Sequence, residues 1–270
     1  MGGATAPPGT AVGFIGIGSQ GAPMAARIGA AGFDLAVWAR RDRSYDALGD
    51  APHRRMASAP EVAEGADVVC LCVLADRDVD EIGDQVLPAM RPGSALLVHS
   101  TVRPSTVVRL AERAGAVDIL DAPVSGGTHA AAAGTLVTMV GGDPEVLERV
   151  RPVLACHSDR ILRVGDLGSG LMAKAINNGL FTAQLGLAAS ALAAGRHLGL
   201  DPDRLAEVLS GSSSRSMALE MIARLPDQTT LPGQVIDLLT KDVDILDSLG
   251  GDDEDVASVV RVARRFVEPG

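Results

Sequence analysis

Short apolar runs alternate with helical patterns along the first 165 residues. Val12–Ile17, Asp34–Ala39, Ala95–His99, Asp118–Leu120, Thr135–Val140 and Ile161–Val164 read as strands. Asp67–Leu74 is nearly unbroken in its apolar character, which suits a strand buried on both faces. Between these runs, Ala22–Ala31, Val79–Met90, Ser105–Ala114 and a stretch opening at Pro144 carry helical periodicity. Strands that alternate with helices predict a parallel sheet built from βαβ units. From Gly170 the strand pattern stops. Leu171–His197 is one run of helix formers, longer than an average helix. Asp201-Pro202 then supplies a cap and a first-turn proline, and helical stretches follow near 203–210, 215–224, 233–249 and 252–266. The pattern predicts an α/β Rossmann-type N-terminal domain over 11–165. An all-α C-terminal domain follows over 166–270, and a long interdomain helix joins the two.

Composition narrows the partners. The chain has 270 residues, and 24 Lys and Arg against 34 Asp and Glu give a formal charge of −10. That balance argues against nucleic acid and against anionic membrane surfaces, which attract basic patches. Residues 1–10 contain no basic cluster followed by an apolar run, so they read as a disordered arm and not as a signal peptide. The most apolar stretch, Leu171–Gly195, carries Lys174, Asn177, Asn178 and Gln184, so no membrane span is expected. These features predict a cytoplasmic protein. Cys70 and Cys72 lie two apart in the apolar run, where core packing competes with a zinc site. No Cys/His pair at ligand spacing accompanies them, and no metal is expected.

Gly16-Ile17-Gly18-Ser19-Gln20-Gly21 fits G-x-G-x-x-G. In a glycine-rich chain the spacing is a weak signal, but its context is specific: a strand precedes it, a helix follows it, and a second strand ends at the distance where ribose recognition falls. Glycines there allow a tight turn and close backbone approach, so that a pyrophosphate rests on the N–H groups at the helix start. The second strand ends in Ala39-Arg40-Arg41-Asp42-Arg43. A guanidinium pair suits the 2′-phosphate of NADP (NADPH) through forked hydrogen bonds. In the other reading the arginines form a solvated turn and Asp42 faces the ribose of NAD. NADP is the preferred cofactor, with NAD possible.

With further motifs in order, the chain resembles the β-hydroxyacid dehydrogenase family, typified by 3-hydroxyisobutyrate dehydrogenase and related to 6-phosphogluconate dehydrogenase. The motifs are the glycine loop from Gly13 to Ala25, Asp121-Ala122-Pro123-Val124-Ser125-Gly126-Gly127 with Gly134-Thr135-Leu136, Gly168-Ser169-Gly170 with Lys174 and Asn177-Asn178, and Lys241-Asp242. The resemblance implies hydride transfer between NAD(P) and a small 3-hydroxy acid or semialdehyde, with Lys174 as general acid/base and Asn178 orienting it. It implies a substrate carboxylate at Ser125, Gly126 and Gly127 near Asn177. Cofactor contacts would come from Gly16, Gly18, Ser19, Gln20, Gly21, Ala39, Arg40, Arg41, Leu74, Ala75, Thr101 and Lys241, in a homodimer.

The motifs also carry physical sense. Small residues after a strand end leave backbone N–H groups and a hydroxyl free for an anion, although an ordinary surface turn has the same composition. Lys174 and Asn178, four apart, share a helix face. Lys174 could instead snorkel from a core edge. A free lysine titrates at about 10.4, and general-base work needs a lower value, which burial beside a cationic ring supplies.

Departures from the family pattern fall in both the cofactor loop and the substrate region. Gln20 stands where Met is frequent, Ala39 where Asn is, Met217 where a Trp or another large residue is common, and Gln234 where Phe is common. His129 lies in the loop after the anion motif, where exposure to solvent competes with a reach to substrate. After Lys241–Leu246 the chain passes through Gly250-Gly251 directly to a final helix, about one helix short of the family's bundle. Two other functions stand beside the dehydrogenase: an imine reductase-like enzyme, which Lys174 argues against, and a catalytically silent NADP-binding protein.

Overall fold

A computed structural model of the chain describes residues 9–228 and 231–268. Apart from Gly9 and Thr10, the arm expected over 1–10 lies outside the described residues. The chain divides into two compact units, 1–174 and 175–270.

The first unit opens with β1 (Ala11–Ile15), α1 (Gly21–Ala30) and β2 (Asp34–Trp38). A 3-10 turn over Asp42–Leu48 leads to the two-residue β3 (Arg54–Arg55), then α2 (Ala59–Ala63), β4 (Val68–Leu71), α3 (Asp76–Val86), β5 (Ala95–Val98), α4 (Pro104–Glu112) and β6 (Asp118–Asp121). β7 (Val124–Ser125), α5 (Gly127–Ala133), β8 (Leu136–Gly141), α6 (Pro144–Leu154) and β9 (Ser158–Gly165) complete the sheet, and α7 (Ser169–His197) begins in this unit. The strand order is β3-β2-β1-β4-β5-β6-β8-β7, with β9 also paired to β8.

From β3 to β6 every pairing is parallel, in the order of the doubly wound dinucleotide fold. Beyond β6 the expectation of a purely parallel sheet fails, because β8 runs antiparallel to both β6 and β7. The reason is local. Only Ala122 and Pro123 separate β6 from β7, which continues in the same direction. Residues 126–135 between β7 and β8 are too few for a parallel crossover, so the chain turns back through α5. The short elements β3, α2, β7 and α5 carry too few residues for any periodicity. The strand expected over Asp67–Leu74 ends at Leu71, and the helix expected from Val79 starts at Asp76.

Both faces of the sheet are covered, as the alternation along the strands shows. On β4, Val68 and Cys70 enter one buried cluster while Val69 and Leu71 enter the other; on β5, Ala95 and Leu97 oppose Leu96 and Val98 in the same way. Fully burying side chains such as Leu71, Leu96 and Leu97 contributes about 1.5–3 kcal/mol each. Cys70 and Cys72 both pack on the first cluster, and burial pushes the Cys72 thiol up to about 12.

The second unit is entirely helical. It contains the rest of α7, then α8 (Pro202–Ser210), α9 (Met217–Ala223), α10 (Gly233–Gly250) and α11 (Glu254–Val267). Asp201 caps α8 through the Arg204 N–H at 2.9 Å. At 29 residues α7 spans roughly 43 Å at ~1.5 Å per residue. Its later turns pack Leu185, Ala188 and Leu192 against Ala218, Leu219 and Ile222 of α9. Among the described residues no helix is long and apolar enough to cross a membrane.

Candidate active site

The glycine loop leaves the carboxyl end of β1, and the neighbouring Cys72-Val73-Leu74 segment leaves that of β4. Strand order reverses between these two strands, the place where open α/β sheets form a ligand crevice. The three glycines differ in what they do. Gly16 has φ +93°, and a Cβ there would lie 2.2 Å from the Cys72 carbonyl oxygen. A Cβ on Gly21 would meet the Gly16 carbonyl oxygen at 2.1 Å and the Phe14 ring at 3.1 Å, so this glycine lets helix pack on strand. A Cβ on Gly18 would meet nothing within 4 Å. That open cradle lies at the start of α1, where no side chain caps the helix: Gln20 instead points its Nε2 at Met24 Sδ, 3.9 Å away. Ser19 is exposed beside it. The residues fit a pyrophosphate held by backbone N–H groups.

Gly16, Gly18, Ala39, Arg40, Arg41 and Leu74 line one cleft, so the structure brings these expected residues together. The Ala39 N–H donates to the Tyr45 hydroxyl at 3.0 Å, which fixes the chain where it leaves β2. Arg41 precedes the 3-10 turn and is exposed. Arg40 is exposed as well, but its guanidinium donates to Asp78 Oδ1 at 2.8 Å. Asp78 is itself buried in the first turn of α3, and its other oxygen accepts the Ala75 N–H at 3.2 Å. Asp78 thus faces the cofactor cleft, a feature the sequence reading missed. Ser100, just before Thr101, accepts the Val73 N–H on its Oγ at 2.8 Å, tying the ends of β4 and β5. Asp42 pairs with Arg55, whose guanidinium also covers the Tyr45 ring at 4.0 Å.

Ser125 ends β7, and Gly126 and Gly127 open α5. Their φ values of +132° and +70° are conformations that glycine adopts without strain. A Cβ on Gly126 would collide with Ala130 and Leu136, whereas one on Gly127 would point into open space. His129 is exposed on α5.

Lys174 lies in the second turn of α7 and is buried, at 8% exposure. The start of that helix is gripped by Asp121 at the end of β6, which accepts the Gly168 N–H at 2.7 Å and the Leu171 N–H at 2.8 Å. Burial pushes the Asp121 carboxyl above its usual range, against the pull of those N–H groups. In the helical unit, Asn177 Nδ2 donates to Asn178 Oδ1 at 3.0 Å, and Asn178 Nδ2 donates to Asp242 Oδ2 at 2.5 Å. Lys241 Nζ lies 3.1 Å from Asp242 Oδ1, an ion pair without hydrogen-bond alignment. Asp242 therefore links Asn178 to Lys241. Its signal in the sequence was its place beside Lys241, and it received no role of its own.

Residues 11–165 match the NAD-binding domain of 6-phosphogluconate dehydrogenase, and residues 168–268 match the "NAD-binding of NADP-dependent 3-hydroxyisobutyrate dehydrogenase". The chain is 39% identical over 215 residues to an NAD-dependent L-serine dehydrogenase of Pseudomonas aeruginosa, across 78% of this chain and 72% of that protein. A 3-hydroxyisobutyrate dehydrogenase of the same organism is 39% identical over 217 residues, across 78% and 73%. A solved structure of the Mycobacterium tuberculosis 3-hydroxyisobutyrate dehydrogenase with L-serine superposes with a TM-score of 0.81 at 29% identity, covering 95% of this chain and 93% of that one. With its glycine cradle and its buried lysine, the chain belongs to the 3-hydroxyisobutyrate dehydrogenase family of NAD(P)-dependent 3-hydroxyacid dehydrogenases.

Proposed function

We propose that this chain oxidises a small 3-hydroxy acid, of the size of L-serine or 3-hydroxyisobutyrate, or reduces the matching semialdehyde, with NADP preferred over NAD. When bound, the nicotinamide cofactor supplies or accepts the hydride. The observation that carries the reading is Lys174, a buried amine-bearing side chain on an anchored helix. A buried titratable amine in the same unit as the glycine cradle and the Ser125–Gly127 turn is a candidate for proton transfer.

The chain's own residues then divide the work. Ser125 Oγ and the backbone N–H groups at Gly126 and Gly127 hold the substrate carboxylate. The Lys174 amine takes the hydroxyl proton in oxidation, and its ammonium returns one to the carbonyl oxygen in reduction. Asn178, one turn along the same helix, orients the amine, with Asn177 assisting at the substrate. The backbone at Gly16, Gly18, Ser19, Gln20 and Gly21 holds the pyrophosphate. Leu74, Ala75 and Thr101 lie along the cofactor, and Lys241 assists at its nicotinamide end.

Arg40 and Arg41 support NADP by charge. Two guanidiniums flank the cleft, and the exposed Arg40 keeps donors beyond the one used on Asp78. The Pseudomonas relative named as NAD-dependent makes the preference a point to measure.

The same proposal includes a homodimer in the cytoplasm. Ile176, Leu180 and Leu187 form an exposed apolar stripe along α7, which supports self-association. The test is steady-state turnover of L-serine and of 3-hydroxyisobutyrate with each cofactor. Oxidation of either acid with a larger kcat/KM for NADP is expected. Tight cofactor binding with no turnover of any small hydroxy acid or aldehyde would favour the silent reading instead.

A further inference from the structure

Asp121 is fully buried, and the backbone around it is shaped to its carboxylate. A Cβ on Gly141 would lie 2.3 Å from Asp121 Oδ1, and one on Gly170 would lie 2.7 Å from Oδ2. Two neighbouring positions therefore lack side chains where this carboxylate sits. Its oxygens accept the N–H groups of Gly168, just before α7, and of Leu171 in the first turn of α7, donors that have no intrahelical partner. A carboxylate at a helix N-terminus also meets the positive end of the helix dipole.

The position of Asp121 along the chain gives these contacts their meaning. It is the last residue of β6, and the Ala122 N–H bonds back to the Val98 carbonyl at 2.8 Å, so the segment is fixed to the sheet. Four residues on stands Ser125. On the helix side, Lys174 follows Leu171 by three residues. One side chain thus joins the strand leading into the anion motif to the helix that carries the lysine.

We propose that Asp121 is a positioning residue for the reaction: it holds the first turn of α7 against the end of β6, and so sets the Lys174 amine relative to the carboxylate site at Ser125–Gly127. This rests on the reading of Lys174 as the acid/base group. Pairing through backbone N–H groups makes the hold insensitive to side-chain rotamers in α7. The added cost of burying a charge is offset only if several donors converge on it, as they do here.

The experiment uses the full chain with Asp121→Asn, which keeps the shape but turns one acceptor into a donor. Hydrogen exchange in the presence of NADPH should show the amides of 168–174 exchanging at least tenfold faster, while those of β1 and β4 stay unchanged. Turnover per NADP+-bound site, with L-serine and with 3-hydroxyisobutyrate, should fall at least tenfold in kcat, with the NADP+ Kd within twofold of wild type. Gly170→Ala sets a methyl 2.7 Å from the same carboxylate and 2.5 Å from the Met139 carbonyl oxygen, and should reproduce the kcat loss from the helix side; a melting curve shows whether either variant is folded. Unchanged exchange at 168–174, or unchanged kcat per NADP+-bound site in both variants, would overturn the proposal. Normal turnover by Lys174→Ala would instead remove the reading on which it rests, while the exchange result still reports on the anchor.

Discussion

Asn178 donates its side-chain N–H to the buried carboxylate of Asp242, Nδ2 to Oδ2 at 2.5 Å. A hydrogen bond to a charged group of this kind contributes about 1.5–3 kcal/mol. Asp242→Ala should release the Asn178 amide and remove the ion pair between Lys241 and Asp242. Steady-state kinetics should show kcat lowered by about tenfold to a hundredfold. The NADPH dissociation constant, read by fluorescence, should change far less. A variant with unchanged kcat would show that Asn178 needs no orienting partner.

Lys174→Ala should lower turnover by about a hundredfold or more, the usual scale of a lost general acid/base. Cofactor affinity should persist, because the glycine cradle is built from backbone and not from Lys174. Exogenous small amines in the assay offer a further check: partial recovery with methylamine is expected if the missing group is a proton carrier. Full activity in the variant would sink the assignment.

Arg40→Ala should reduce the ratio of kcat/KM for NADPH over NADH by at least tenfold, about 1.4 kcal/mol for the loss of one charge-assisted contact. The ion pair with Asp78 is exposed on the arginine side, so its loss should change the melting temperature little. A ratio that does not move would leave Arg41, or neither arginine, as the discriminating residue.

Gly16→Ala and Gly18→Ala should separate folding from binding. The first places a Cβ 2.2 Å from a backbone oxygen at φ +93°, so it should destabilise the fold by about 2 kcal/mol or more. The second finds open space and should melt like wild type, yet bind NADPH more weakly because the methyl fills the cradle. Equal melting temperatures and equal affinities for the two variants would contradict the division of roles.

His99 and His157 predict acid lability. His99 Nδ1 donates to the Ala122 carbonyl at 2.7 Å, which leaves Nε2 as a bare acceptor, and that nitrogen is buried without a partner. The His157 ring meets it edge-on at 5.5 Å. Burial pushes His99 down to about 4, and burial together with the neighbouring His99 and Arg27 pushes His157 well below its ordinary value. The unfolded chain then binds more protons than the native one. Stability is fully present above about pH 6.5 and falls as pH drops, by about 1.4 kcal/mol per pH unit for each ring, until His99 itself titrates. Urea unfolding at pH 7.5 and pH 5 should show this loss. His99→Asn, which can still donate to Ala122 and does not titrate, should flatten the dependence; an unchanged slope would assign the lability elsewhere.

The sequence by itself determined the parts of this protein that repeat a local rule. Short, nearly unbroken apolar runs gave the central strands, helix formers without breaks gave α7, and a glycine motif flanked by strand and helix gave the cofactor loop. The family resemblance implied paired roles for Lys174 and Asn178, which helix geometry, by putting residues four apart on one face, makes compatible.

Tertiary structure decided what depends on chain segments distant in sequence. The antiparallel return of β8 follows from the short connection through α5, which has no periodicity to read. Asp121 grips amides 47 and 50 residues away, Asn178 bonds a carboxylate 64 residues away, and Arg40 pairs with Asp78 across 38 residues. An aspartate's residue type is the same whether it caps a distant helix, orients an amide or neutralises a guanidinium. Only the folded chain, by bringing one particular donor within 3 Å of it and removing the water, fixes which of these it does.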